Sequence, residues 1–220
     1  MDQTLTIAVP GAGAVTAILT TPEPAAANVL FVYAPGAGTN LQDPFGVFAG
    51  RELAKQGVAS LRFQFPYQEA KRRGPDRPPL LEATWRAVIE ATRSPGARPV
   101  IGGRSMGGRI ASQVVAQGEP VAALALFAYP LHPPGRPDQA RDAHLSAITV
   151  PTLFCSGTRD AFATPEELRA AASKIPRSTV HLIDGADHGF NVLKASGRTR
   201  PHVWSEAVAA LVGWLEALTR

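Results

Sequence analysis

The segment Gly102-Gly103-Arg104-Ser105-Met106-Gly107-Gly108-Arg109 constrains this chain more than any other. It directly follows the apolar run Pro99-Val100-Ile101, and the helix-like stretch Arg109-Ile110-Ala111-Ser112-Gln113-Val114-Val115-Ala116 continues from it. A serine with a glycine two residues to either side, set between strand and helix, reads as a sharp turn that lifts the hydroxyl above a sheet. The turn strains the backbone at the serine, and side chains at the flanking positions would collide with neighbouring backbone. Glycine is therefore favoured at 103 and 107. The helix N-terminus beside Ser105 Oγ favours developing negative charge. In a chain with 20 glycines the bare pattern could be an ordinary glycine-rich loop, so its weight rests on the strand and helix that flank it.

Other apolar runs fit the same plan. Strands are expected at Leu5–Val9, Val15–Leu19, Val29–Ala34, Val58–Phe63, Pro99–Gly103, Val121–Ala128, Val150–Cys155 and Thr179–Ile183. The first two, with Pro10-Gly11 between them, suggest an antiparallel hairpin at one edge. The later ones are continuous and apolar, as parallel strands buried on both faces require. Helical patterns at Pro44–Gln56, Pro79–Arg93, Gly108–Gln117, Pro165–Lys174 and Pro201–Leu218 separate or follow them. The last carries Trp204, Ala207, Val208, Leu211, Leu215 and Leu218 on one face, and Thr164-Pro165-Glu166-Glu167 is a capping-box helix start. The expected fold is one α/β domain over residues 1–220: a mostly parallel twisted sheet of about eight strands, flanked by helices, with no room for a cap domain.

Composition narrows the function classes. The single Cys155 excludes an internal disulfide framework and reads as a small buried hydrophobe. The start Met1-Asp2-Gln3-Thr4 has an acid where a secretory leader wants positive charge, and no run approaches 18 apolar residues, so a cytoplasmic location without membrane association is the expectation. The net charge of +4 comes from scattered arginines. Only Lys71-Arg72-Arg73-Gly74-Pro75-Asp76-Arg77 is locally basic, and it reads either as a solvated loop or as attraction for an anionic substrate or partner. Nucleic-acid binding is not expected without aromatic interleaving or a recognisable module. Metal-ligand spacings are missing, so neither a metal nor another cofactor is expected.

A serine hydroxyl needs a base within hydrogen-bond reach and an acid to orient that base. In this topology they follow the nucleophile in the order acid, then histidine. Asp160 lies after Pro151-Thr152-Leu153-Phe154-Cys155 and before the helix at Pro165, which puts it at the same sheet edge as Ser105. His188, in Asp184-Gly185-Ala186-Asp187-His188-Gly189-Phe190, follows the last strand. Asp184 and Asp187 are the alternative acids, but both share the histidine's loop. Ala34-Pro35-Gly36-Ala37-Gly38-Thr39 follows the third strand, where one oxyanion-hole amide is expected from Ala37, with the second from Met106. Gly36 and Gly38 lack the third glycine of a dinucleotide site.

Six segments together resemble one family of α/β-hydrolases: Tyr33-Ala34-Pro35-Gly36-Ala37-Gly38, Leu61 to Tyr67, Gly102 to Arg109, Tyr129 to Gly135, Ser156 to Asp160, and Gly185 to His188. The family is the small, capless one of the testis-expressed protein 30-like proteins and the hydrolase domain of subunit 3 of the NSL histone acetyltransferase complex; dienelactone hydrolases are similar at greater distance. Pro35-Gly36 stands where many relatives have His-Gly. The resemblance implies a Ser105–His188–Asp160 triad acting on a small acyl substrate. Arg62, Tyr67, Arg104, Tyr129, His132 and Phe190 are the candidates for substrate contact. Arg62 and Arg104 could hold a carboxylate, making the substrate anionic, or could instead brace neighbouring loops. The rival to a serine esterase is a module that keeps the fold for interaction without catalysis; a peptidase is the weaker third reading.

Overall fold

A computed structural model describes residues 1–23, 29–93 and 98–218. Two strands, β1 (Asp2–Val9) and β2 (Gly13–Thr20), open the chain as an antiparallel hairpin. There follow β3 (Leu30–Ala34), α1 (Pro44–Lys55), β4 (Ala59–Phe63), a single turn α2 (Pro66–Glu69) and α3 (Pro78–Ala91). The second half runs β5 (Val100–Arg104), α4 (Met106–Ala116), β6 (Ala123–Phe127), β7 (Thr152–Gly157), α5 (Pro165–Ala172), β8 (Ser178–Ile183) and α6 (Arg200–Leu218). Eight strands form one sheet in the order β1-β2-β4-β3-β5-β6-β7-β8, antiparallel through β2–β4 and parallel from β4 to β8. Among the described residues no helical cap interrupts it, and no helix is long and apolar enough to cross a membrane.

Side chains alternate across each strand, so one sheet feeds two cores. Phe31, Tyr33, Ala125 and Phe127 point to the layer of α1 and α6, where Phe45, Leu53, Val203, Leu211 and Trp214 are buried. Val32, Ile101, Leu124, Leu126 and Phe154 point to the other layer, with Trp85 and Val88 of α3, Ile110 and Val114 of α4 and Leu168 of α5. Burial on both faces explains why the central strands read as unbroken apolar runs.

Local chemistry sets the helix boundaries. Asp43 caps α1 by accepting from the Gly46 amide, and Pro44 occupies the first position. At α5 the Glu167 amide donates to Thr164 Oγ1 and the Thr164 amide donates to Glu167 Oε2, closing the capping box. Ala207, Val208, Leu211 and Leu215 of the expected α6 stripe are buried, and the stripe differs at its ends. Val203 and Trp214 are buried in it, while Trp204 and Leu218 pack only partly on its flank. Helix α4 also starts two residues earlier than the pattern suggests, because Ser105 itself is its cap.

Connection order reverses between β3 and β5: the chain leaves β3 toward β4 on one side, and β5 toward β6 on the other. A crevice is expected at the carboxyl ends of strands flanking such a point. Within the α1–α6 layer Phe45 anchors the packing, its ring centroid 5.2 Å from both Phe127 and Phe190 and 6.1 Å from Trp204. Phe45→Ala is expected to destabilise the protein by about 3–5 kcal/mol in urea unfolding, and Phe48→Ala, at a half-buried position, by distinctly less.

Candidate active site

Ser105 joins β5 to α4 with φ 52° and ψ −120°, a conformation that costs a non-glycine residue of order 1–3 kcal/mol. The surroundings hold it there. Its amide donates to Phe127 O at 2.9 Å, and its carbonyl accepts from the Arg109 amide at 3.0 Å. A Cβ at Gly103 would lie 2.3 Å from Ala34 O, and one at Gly107 2.4 Å from the same oxygen and 2.5 Å from Pro35 O. A Cβ at Gly108 would lie 2.5 Å from Gly103 O. Backbone approach therefore requires these glycines, independently of any turn conformation.

The loops after β7 and β8 bring the other two residues to this edge. His188 Nε2 lies 2.9 Å from Ser105 Oγ, and His188 Nδ1 lies 2.9 and 3.0 Å from the two Asp160 carboxylate oxygens. Asp160 is buried and also accepts from the Phe162 amide at 2.8 Å. A carboxylate only accepts, so Nδ1 carries the proton and Nε2 turns its lone pair toward the serine hydroxyl. The Phe162 ring stacks on the imidazole with centroids 4.0 Å apart.

Asp187, one of the alternative acids, holds the histidine loop instead. Its Oδ1 accepts from the amides of Gly189 and Asn191, each at 2.8 Å. Asp184 lies on the outside of that loop, with its carbonyl accepting from Arg198 Nη1. Ala37 and Met106 both line the cavity beside Ser105, and neither amide has a protein acceptor among the described residues.

The cavity has a volume of about 450 Å³. Of the six residues expected to contact substrate, only Arg104 lines it. Its guanidinium reaches back to the buried Asp43, Nη1 to Oδ1 3.8 Å, and Asp43 also accepts from Tyr33 Oη at 2.6 Å. Arg62 is buried beneath α1, donates to Leu41 O at 3.4 Å, and has its pKa lowered by burial. Tyr67 packs on Phe65 in the core while its amide donates to Asp76 at 2.8 Å. Tyr129 is likewise buried; its hydroxyl donates to Arg141 O at 2.9 Å, and burial pushes its pKa up to about 12. His132 donates to Pro133 O through Nδ1 and faces Glu167 through Nε2 at 3.1 Å, which ties the loop after β6 to α5 and raises its pKa. Phe190, at φ 58°, is a fully buried wedge against Phe45 that anchors the His188 loop. These five carry the geometry of the loops around the cavity.

The cavity walls also include Phe162, Arg109 and Arg141, which the sequence patterns did not single out for substrate contact. Arg109 was within reach of sequence reasoning, because four residues after Ser105 on a helix is the same face. Arg141 sits in an irregular stretch with no periodicity to orient it. Among the described residues no three of His, Cys, Asp and Glu are grouped so as to hold a metal ion.

A strained serine between a parallel strand and a helix, with an imidazole and a carboxylate delivered from later strand ends, defines an α/β protein of the hydrolase type. Residues 27–216 match the model of the alpha/beta hydrolase domain, and the chain belongs to that family. Similar solved structures include an α/β serine hydrolase without lid from Xanthomonas campestris, at 20% identity and a TM-score of 0.72, with 97% of this chain and 94% of that chain covered. Dienelactone hydrolase from Anabaena variabilis is similar at 20% identity and a TM-score of 0.72, with 95% of each chain covered. Est1E from Butyrivibrio proteoclasticus aligns at 14% identity and a TM-score of 0.74, over 97% of this chain and 99% of that one. At these identities the likeness is one of fold.

The close approach of β5 to β3 makes a direct prediction. Gly103→Ala should lower the thermal midpoint substantially, by about 1–3 kcal/mol of stability or more, because the methyl meets backbone that cannot yield. Gly74→Ala, which meets nothing within 4 Å, should leave the midpoint unchanged or slightly raised.

Proposed function

We propose that this protein is a serine hydrolase that cleaves a small ester or related acyl compound through an acyl-enzyme. The observation that carries the reading is the continuous relay Ser105 Oγ–His188 Nε2, 2.9 Å, and His188 Nδ1–Asp160, 2.9 Å. Family membership and the likeness to a lidless serine hydrolase and a dienelactone hydrolase support it. Within the alpha/beta hydrolases, the resemblance of the six motif segments supports a relationship to the testis-expressed protein 30-like and NSL subunit 3-like hydrolases.

In the first step Ser105 Oγ attacks the acyl carbon as its proton passes to His188 Nε2. The oxyanion is received by the free amides of Ala37 and Met106 at the start of α4, where the helix dipole adds to the attraction. Collapse of the tetrahedral adduct breaks the bond to the leaving alcohol, which takes the proton from His188. A water then gives its proton to His188 and attacks the acyl-serine; collapse returns the proton to Ser105 and frees the acid. Asp160 stays ionised and supports the imidazolium. With no cap over the strand ends among the described residues, the cavity of about 450 Å³ suits a compact ester.

Ser105→Ala should abolish labelling by a fluorophosphonate probe and lower turnover of short-chain 4-nitrophenyl esters by at least about 10³-fold. Asp160→Asn should keep the fold and lower kcat by about 10⁴-fold, through the wrong histidine tautomer. Full turnover by Ser105→Ala would sink the proposal. An unlabelled Ser105 in folded wild-type protein would point instead to an interaction module that keeps the fold without the chemistry.

A further inference from the structure

Arginines are the commonest charged residues of this chain, and six of the seventeen described pair with an acid. Arg62 faces Asp2, Arg72 faces Asp76, Arg86 and Arg93 share Glu119, Arg104 faces Asp43 and Arg198 faces Glu206. Among the unpaired arginines described, Arg109 and Arg141 are the two that stand on the wall of the reaction cavity. Both line the cavity with Ser105 and His188, and neither guanidinium has a hydrogen bond or ion pair among the described residues.

Nearby carboxylates are committed elsewhere. Asp76, the acid on the cavity wall, is held by Arg72 and by the Tyr67 amide. Asp142, adjacent to Arg141 in sequence, pairs with Lys174 at 2.8 Å. Burial and the neighbouring Arg141 charge both lower the pKa of Arg109, and burial together with the Arg109 charge lowers that of His144.

Two like charges at a cavity mouth repel, and partial burial strips water from one of them. The backbone nevertheless holds both in place. Arg109 sits one helical turn beyond Ser105, its amide bonded to the Ser105 carbonyl at 3.0 Å. Arg141 is fixed on both sides of its peptide: its amide donates to Leu131 O at 2.7 Å, and its carbonyl accepts from Tyr129 Oη at 2.9 Å. A planar fork of donors with no protein acceptor among the described residues, doubled on the wall of a reaction cavity, matches an oxyanion such as carboxylate or phosphate.

We propose that Arg109 and Arg141 form an anion subsite of the Ser105 cavity, and that the ester cleaved carries a carboxylate or phosphate group bound there. The second half of this rests on the hydrolase reading; the subsite itself does not. It differs from the anticipated role of Arg62 and Arg104, which are turned toward Asp2 and Asp43.

The test compares mono-4-nitrophenyl adipate with 4-nitrophenyl hexanoate, esters of matched length that differ in a terminal carboxylate. Wild-type protein should favour the adipate in kcat/KM by about 10-fold or more. Arg109→Gln and Arg141→Gln should each reduce that ratio by about 10-fold, and Arg141→Lys should restore part of it by supplying charge without the fork. Equal kcat/KM for the two esters, with the hexanoate turned over normally, overturns the subsite while leaving the hydrolase reading intact.

Binding is read separately by titrating adipate and inorganic phosphate into Ser105→Ala protein. Saturable binding of either, weakened about 10-fold by Arg141→Gln in the same background, supports the subsite even if no ester is turned over; the tighter of the two identifies the anion. Failure of both to bind overturns it.

Discussion

The carbonyl oxygen of Ala34 lies where two side chains would have to be: Cβ atoms at Gly103 and Gly107 would stand 2.3 and 2.4 Å from it. The strand before Ser105 and the helix after it thus close on the end of β3, and the remaining geometry of the site follows from that contact. It brings the Gly36–Ala37 loop alongside the nucleophile, with a Cβ at Gly36 only 3.4 Å from Ser105 Cβ. It also keeps Ser105 at positive φ, since relaxing the turn would drive α4 into backbone. Strain of order 1–3 kcal/mol persists because a whole strand–helix interface opposes its release.

The histidine depends on the opposite layer of the molecule. Phe190 leaves the His188 loop at φ 58° and is buried against Phe45, which also packs on Phe127 of β6 and Trp204 of α6. Asp187 gathers the loop's amides, and Phe162 covers the imidazole face. A sheet that buries both faces can therefore set Ser105 from one core and His188 from the other. The distance between them, 2.9 Å, is a consequence of packing on both sides.

Charge around the cavity is organised by what the carboxylates already hold. Asp43 caps α1, takes the Tyr33 hydroxyl and faces Arg104, so one buried acid orders three elements. Tyr129 and His132 do comparable work in the loop after β6. Their hydrogen bonds to Arg141 O and Pro133 O are spent on protein carbonyls and leave no donor for a ligand. Residues that look like ligand contacts in a motif can serve the motif's own backbone, because an irregular buried loop must satisfy its carbonyls from somewhere.

Much of this was legible in the sequence. Strand runs, capping residues and glycine spacing are local signals, encoded within a few residues of where they act, and they specified the elbow, the Thr164 capping box and the order serine, acid, histidine. The choice of Asp160 over Asp184 and Asp187 also followed from chain order, since the acid must arrive from a different strand end than the histidine. Which polar side chains face the cavity is a different kind of question. Arg62 and Arg104 both sit at strand ends, yet one is buried under α1 and the other opens to the cavity, a difference set by helices that arrive from elsewhere in the chain. Phe190 follows His188 by two residues and points into the core because its backbone turns left-handed there. The sequence alone determined where the turns and strands fall and which residues could react; tertiary packing alone decided which arginines were left without a carboxylate, because pairing depends on distances across the fold.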